Sequence, residues 1–467
     1  MTRRLSRATI ASTVGTALEW YDFSLYGTAA ALVLPQVFFP AGDPVAATLS
    51  SLATFAVGFF ARPVGGIVIG VLGDRVGRRT MLFVTLLLMA AASTLIGLLP
   101  SYASVGAAAP VMLVALRVVQ GLGAGGEYAG AMLMSAEHAE TRSRGLNASA
   151  PTLGNAVGSL VATGVFFLVS AVMPHEAFID YGWRIPFLLS VFVGVAGVIV
   201  RMKVSDTPEF REARDNPGAG GERAMAPLRA LFASSRHKIV PGMLISIAPN
   251  VISYLPSVYA LTYLTTHVHT EAWVGLIGVV IANLVKLVTV PTAGWLCDRY
   301  GRRPVMVAGS VAAAVLFYPF FFMLDTGTPV VIWAAFVMIY TLCNDLTLAS
   351  QATMMSELFD VRYRYTGVTF TREIAGAVVG GCIPFVAAWL DGWSGGQLWP
   401  IVVVSALLCL LSAFGTRFIE EPAHLREPAP AARCGAVGAL RRGRRVAARS
   451  ARCGAVGALR RGRRPPA

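Results

Sequence analysis

The chain has 467 residues, 55% of them hydrophobic and only 14% charged. Soluble domains carry about a quarter charged residues, so this balance and a mean hydropathy of +0.63 point away from a soluble enzyme and toward a membrane protein. The formal charge of +14 does not mark a nucleic-acid binder, because residues 422–467 alone hold twelve arginines and one acid, Glu427, leaving about +3 for the rest.

Met1–Arg7 is basic like the start of a signal peptide. The apolar stretch behind it is too long, contains Glu19 and Asp22, and has no clear cleavage site, so it reads as an uncleaved first span. Apolar runs, each near the ~20 residues a bilayer needs, fall at 9–38, 48–73, 80–99, 110–137, 146–172 and 184–203. They resume at 239–266, 272–296, 304–324, 329–356, 366–390 and 398–418. The fold class expected is all-α and polytopic, with twelve transmembrane helices in two six-helix bundles. The first bundle covers 1–203, a cytoplasmic linker 204–238, the second bundle 239–421, and a disordered arginine-rich tail 422–467. Six cysteines (297, 343, 382, 409, 434 and 453) form no CxxC or Cys/His spacing, so neither a disulfide framework nor a metal site is expected.

Basic residues mark one set of loops: Arg3, Arg4 and Arg7, then Arg75, Arg78 and Arg79, Arg142 and Arg144, the linker, Arg299, Arg302 and Arg303, Arg362 and Arg364, and the tail. The other set is nearly free of them, with Arg184 the exception. The positive-inside rule then places both termini in the cytoplasm of a plasma membrane. One repeat points to a duplicated architecture. Gly70-x3-Asp74-Arg75-x-Gly77-Arg78-Arg79 follows span two, and the same pattern at Gly294, Asp298, Arg299, Gly301, Arg302 and Arg303 follows span eight. Parallel duplication of a six-helix unit is a hallmark of two-fold pseudosymmetric transporters. A second repeat, Arg433–Arg445 copied at Arg452–Arg464, is a short sequence duplication with no chemistry of its own beyond attraction to anionic lipid.

The twin GxxxDRxGRR loops and Arg117-Val118-Val119-Gln120-Gly121 resemble the signatures of the major facilitator superfamily. Glu19-Trp20-Tyr21-Asp22-Phe23 with Tyr26-Gly27, Phe55 to Pro63, Gly125-Gly126-Glu127 and Gly182 to Phe187 are similar to its metabolite:proton symporter family. The resemblance runs to about Glu421. It implies import of organic acids, or of proline and betaine, with protons, and is nearest the shikimate-type branch. Arg372-Glu373 in span eleven and Lys286 in span eight depart from that family's pattern.

Charges within spans cost roughly 2.5–3.5 kcal/mol each at the bilayer centre. At 1.5 Å per residue, Asp22, Glu127, Asn250 and Asp345 all lie about 24–27 Å below the outer ends of spans one, four, seven and ten. In the resembled fold these four helices line a central cavity. Asp22, Glu19 and Glu127 are candidate proton-coupling carboxylates, since neighbouring carboxylates cannot both ionise cheaply. Their structural alternative is pairing with Arg62 or Arg117. By resemblance Arg117 belongs to the coupling machinery; otherwise it is a packing cation bonded to carbonyls. Candidate substrate contacts are Tyr26, Asn250, Tyr254, Lys286, Asp345 and Arg372, with the two cations suited to a carboxylate. The alternatives are a Lys286 that snorkels or pairs with Asp345 and an Arg372 paired with Glu373 or Glu357. Asp74, Arg75, Arg78, Asp298, Arg299 and Arg302 are expected to gate the cytoplasmic face.

No Walker motif, nucleophile elbow or metal spacing is present, and the glycines of span four have no strand before them, so neither an enzyme nor a nucleotide-driven pump is expected. The expected partners are a small organic anion, the proton as coupling ion, and the lipid bilayer, with no cofactor and a monomeric chain. A proton-antiport exporter of amphipathic compounds and a transporter-like sensor are the competing readings.

Overall fold

The computed structural model describes residues 7–39, 43–76, 78–125, 132–133, 135, 149–202, 226–359 and 364–421. Every regular element among them is helical. Apolar segments in a bilayer must satisfy their own backbone polar groups, and helices do this within one segment. Spans one to six comprise Arg7–Leu32, Pro44–Val76, Arg78–Leu98, Ala108–Ala124, Ala150–Val172 and His175–Gly197. Spans seven to twelve comprise Ser235–Thr266, Ala272–Tyr300, Arg302–Asp325, Pro329–Leu358, Arg364–Ser394 and Trp399–Phe418. Met1–Glu420 forms one compact unit. The expected linker lies outside the described residues up to 225. From Ala226 the chain is already helical, with a break at Ser235 (φ −135°, ψ 21°) before span seven proper. The expected tail, 422–467, lies outside the described residues.

Side chains such as Val172, Phe192, Val288 and Val315 point outward, as bilayer-facing positions should. Small residues set the helix contacts. A Cβ on Gly121 would lie 2.1 Å from the Gly58 carbonyl oxygen, and one on Gly158 would lie 2.2 Å from that of Ala17. Spans two and four, and spans one and five, therefore touch backbone to backbone. Between the halves, span five packs on span eight and span two on span eleven. Arg184, the basic residue on the otherwise acid-and-neutral face, donates to the carbonyls of Gly97 (3.0 Å) and Leu99 (2.5 Å) and so caps the end of span three.

Three spans of the C-terminal half contain a π-helical turn: Leu255–Tyr259 in span seven, Tyr340–Asn344 in span ten and Gly376–Gly381 in span eleven. Such wide turns shift the phase of the helix beyond them and often mark functional segments. Pro256 lies in the first of these turns and Asp345 directly follows the second.

Candidate functional site: a cavity between the halves

A narrow cavity lies where the two halves meet. From the N-terminal half, Ser24, Thr28, Asn155, Ser159 and Thr163 give it hydroxyls and amides, while Trp20, Phe23 and Phe55 give it aromatic surface. From the other half come Ser253, Ser257, Asn283, Tyr254, Tyr340 and Lys286. Among these lining residues Lys286 is the one charge. Its Nζ is 3.3 Å from Asn155 Oδ1 across the domain boundary and 5.0 Å from the centre of the Tyr340 ring. It is 2% exposed, and no described carboxylate lies within 4.0 Å of it.

Contacts between the halves lie on both sides of this cavity. Toward the loops that are poor in Lys and Arg, Thr262 donates to the Ala31 carbonyl (3.3 Å), joining spans seven and one. Toward the basic loops, Tyr254 stacks on Trp20 at 6.0 Å and 12°, and packs edge-on against Phe55 and Phe59. Beyond that aromatic floor, Arg62 of span two binds Glu19 of span one (2.5 Å) and Glu373 of span eleven (2.7 Å). Arg372 closes the chain of charges on Glu373 (2.9 Å). Phe23 and Phe59 flank the Arg62 guanidinium at 4.6 and 5.6 Å. This network ties the halves together below the cavity with all three inner groups buried.

The geometry sorts the candidates named from the sequence. Tyr254 and Lys286 line the cavity. Tyr26 does not: it is fully buried, bonded to Thr54 (2.5 Å), and covered by the Arg117 guanidinium at 3.8 Å. Asn250 donates to the Ser246 carbonyl (2.7 Å) and packs against Gly380 of span eleven. Asp345 lies behind the cavity wall, where its Oδ2 accepts from Thr289. Arg372 sits in the ion network rather than on the cavity wall.

Glu19 is paired with Arg62. Asp22 turns away from the cavity into its own half, where it accepts a hydrogen bond from Ser190 (3.0 Å) and lies near Ser93. Ser93 in turn accepts from Gln120 (2.6 Å), and Gln120 accepts from Arg117. Arg117 also donates to the carbonyls of Phe55 (3.1 Å) and Thr54 (3.4 Å) on span two. Glu127 lies outside the described residues. Of the gate candidates, the side chains of Asp74, Arg75 and Arg78 lie outside them too. Arg302 reaches Glu357 (3.1 Å) and Asp298 (3.9 Å), linking spans eight, nine and ten within one half. Arg299 lies over Trp295 and Tyr300 at 5.1 and 5.5 Å.

Sequence reasoning did not single out Asn155, Asn283 or Trp20 as cavity residues. Two amides in otherwise apolar spans were the available signal. Asn283 lies three residues before Lys286, on the same helix face.

Two pseudosymmetric helical bundles enclosing one polar cavity, with contacts between bundles on either side of it, define a membrane transporter working from a central site. The Major Facilitator Superfamily model matches residues 12–372 and 242–463. The chain is 35% identical to the shikimate transporter of Escherichia coli K12 over 426 residues, 90% of this chain and 95% of that one. It is 38% identical to the inner membrane metabolite transport protein YhjE of the same organism, covering 83% and 88%. The identity to the proline/betaine transporter of Salmonella typhimurium LT2 is 32%, covering 83% and 78%. Among solved structures, the proton:xylose symporter XylE bound to 6-bromo-6-deoxy-D-glucose aligns with a TM-score of 0.69 at 17% identity, over 89% of this chain and 96% of that one. That likeness establishes the fold. The chain belongs to the major facilitator superfamily and is an integral membrane transporter of small metabolites, not an enzyme.

Proposed function

We propose that this chain imports a small organic acid together with protons by alternating access, with the basic face cytoplasmic and the site complete within one chain. The observation that carries this reading is Lys286: a buried cation on the cavity wall with, among the described residues, one long hydrogen bond and no carboxylate within 4.0 Å. A buried charge left in that state is costly and is relieved by an incoming anion. The hydroxyls, amides and aromatic faces around it suit the body of a small polar acid. The relatives named for shikimate and for proline and betaine support a carboxylate-bearing substrate. On this reading Asp22, bonded to Ser190 and near the Ser93 that Gln120 links to Arg117, exchanges protons within the N-terminal half. The Arg62 network and the aromatic floor must separate when the site opens to the basic face.

Uptake into proteoliposomes under an imposed inward proton gradient tests the reading. The labelled panel is shikimate, citrate, 2-oxoglutarate, a phthalate, proline and betaine. Accumulation of one acid, abolished by a protonophore, is the expected result. Outward movement of amphipathic compounds would favour the exporter, and binding without flux would favour a sensor.

A further inference from the structure

Asp345 is fully buried, and the function just proposed does not use it. Its Oδ2 accepts a hydrogen bond from Thr289 of span eight, while its Oδ1 has no hydrogen-bond partner among the described residues. The carboxyl directly follows the π-helical turn Tyr340–Asn344, whose Tyr340 ring lies against Lys286. Lys286 and Asp345 act on each other electrostatically without touching. The other described titratable groups that feel Asp345 are Tyr340 and Cys343 of its own span.

We infer that Asp345 is the charge-balancing proton site of the C-terminal half: it neutralises Lys286 while the cavity is empty, and binds a proton when a substrate carboxylate takes over that task. This deepens the proposed function and rests on its reading of Lys286. With the cavity empty, one ammonium and one carboxylate sum to zero in a dry interior. A substrate carboxylate beside Lys286 would leave two anions sharing one cation there. Like charges sharing a low-dielectric site favour protonation of one of them. Asp345 is the one to protonate, because its Oδ1 has no donor among the described residues to hold it ionised, while the substrate sits on the ammonium. One proton added to the Asp345 carboxylate restores neutrality, and it leaves when the substrate leaves. Substrate and proton therefore load and unload together because the buried charge is conserved.

The test uses the full chain in detergent, weakly buffered with a pH indicator, and the panel acid that the wild type accumulates. Binding of that acid should draw about one proton per site from solution into Asp345. Asp345→Asn should bind the acid with that proton uptake lost, and its affinity should no longer strengthen as pH falls. Asp345→Glu should restore the proton uptake, which separates a lost proton site from a damaged fold. Undiminished proton uptake by Asp345→Asn, or acid affinity in it that still rises at low pH as in the wild type, overturns the inference alone. Wild-type affinity in Lys286→Met, or a wild type that binds no acid of the panel, overturns the proposed function and this inference with it.

Discussion

Arg117 in one half and Lys286 in the other are both buried, and their surroundings differ. Arg117 of span four has its guanidinium directed at two carbonyls and Gln120, and covered by the Tyr26 ring. Lys286 of span eight has, among the described residues, one hydrogen bond, to the other half, and faces the cavity. A cation held on all sides is structural cement, because each guanidinium nitrogen already has an acceptor. An unsaturated one is an open valence for a ligand. The helices differ too. Spans seven, ten and eleven carry π-helical turns, as does span six of the N-terminal half at Phe178–Gly182, while the described parts of spans one, two and four run as regular α-helix. Span one thus gives the cavity a regular helical wall, and the C-terminal half gives it its charge, Lys286, and the irregular spans seven and ten.

Substitutions break or sharpen this contrast. The largest effect expected is from Arg117→Met, which removes three buried hydrogen bonds and should destabilise the protein by about 3–5 kcal/mol, at about 1–2 kcal/mol for each bond to a charged group. A lowered thermal midpoint in detergent would show it, whereas a stable but inactive variant would erase the contrast. Lys286→Met should leave that midpoint unchanged or higher and cut uptake efficiency about 100-fold, equivalent to about 2.7 kcal/mol. Flux near wild type would remove the cation from the site. Gly58→Ala would put a Cβ 2.4 Å from Arg117 Nη2. It should cost about 2 kcal/mol of stability through overpacking, and Arg117→Met should relieve part of that cost. Asp22→Asn keeps an acceptor for Ser190, so insertion and stability should hold. Gradient-driven accumulation should fall about tenfold, or about 1.4 kcal/mol, while exchange at equal pH persists. Normal accumulation would confine Asp22 to a structural part.

Hydropathy, the arginine-bearing loops and the GxxxDRxGRR repeat were enough to read twelve spans in two equivalent halves, because a bilayer imposes length and polarity on each segment separately. Rise per residue placed Asp22, Asn250 and Asp345 at a common depth for the same local reason. The direction each side chain faces was not local. Asp22 and Tyr26 turn into their own half, Asn250 rests against Gly380, and Arg372 is held by Glu373, which in turn binds Arg62 of the distant span two. Helix azimuth depends on which neighbour a helix packs against, and each π-helical turn resets the phase of the residues beyond it. Asn155 became part of the site only because span five packs on span eight across the boundary. The sequence by itself determined the membrane architecture, the superfamily and the presence of a buried lysine. Only the tertiary structure decided that this lysine is the cavity's charge, because pairing between distant helices determines which polar groups find partners and which are left for a ligand.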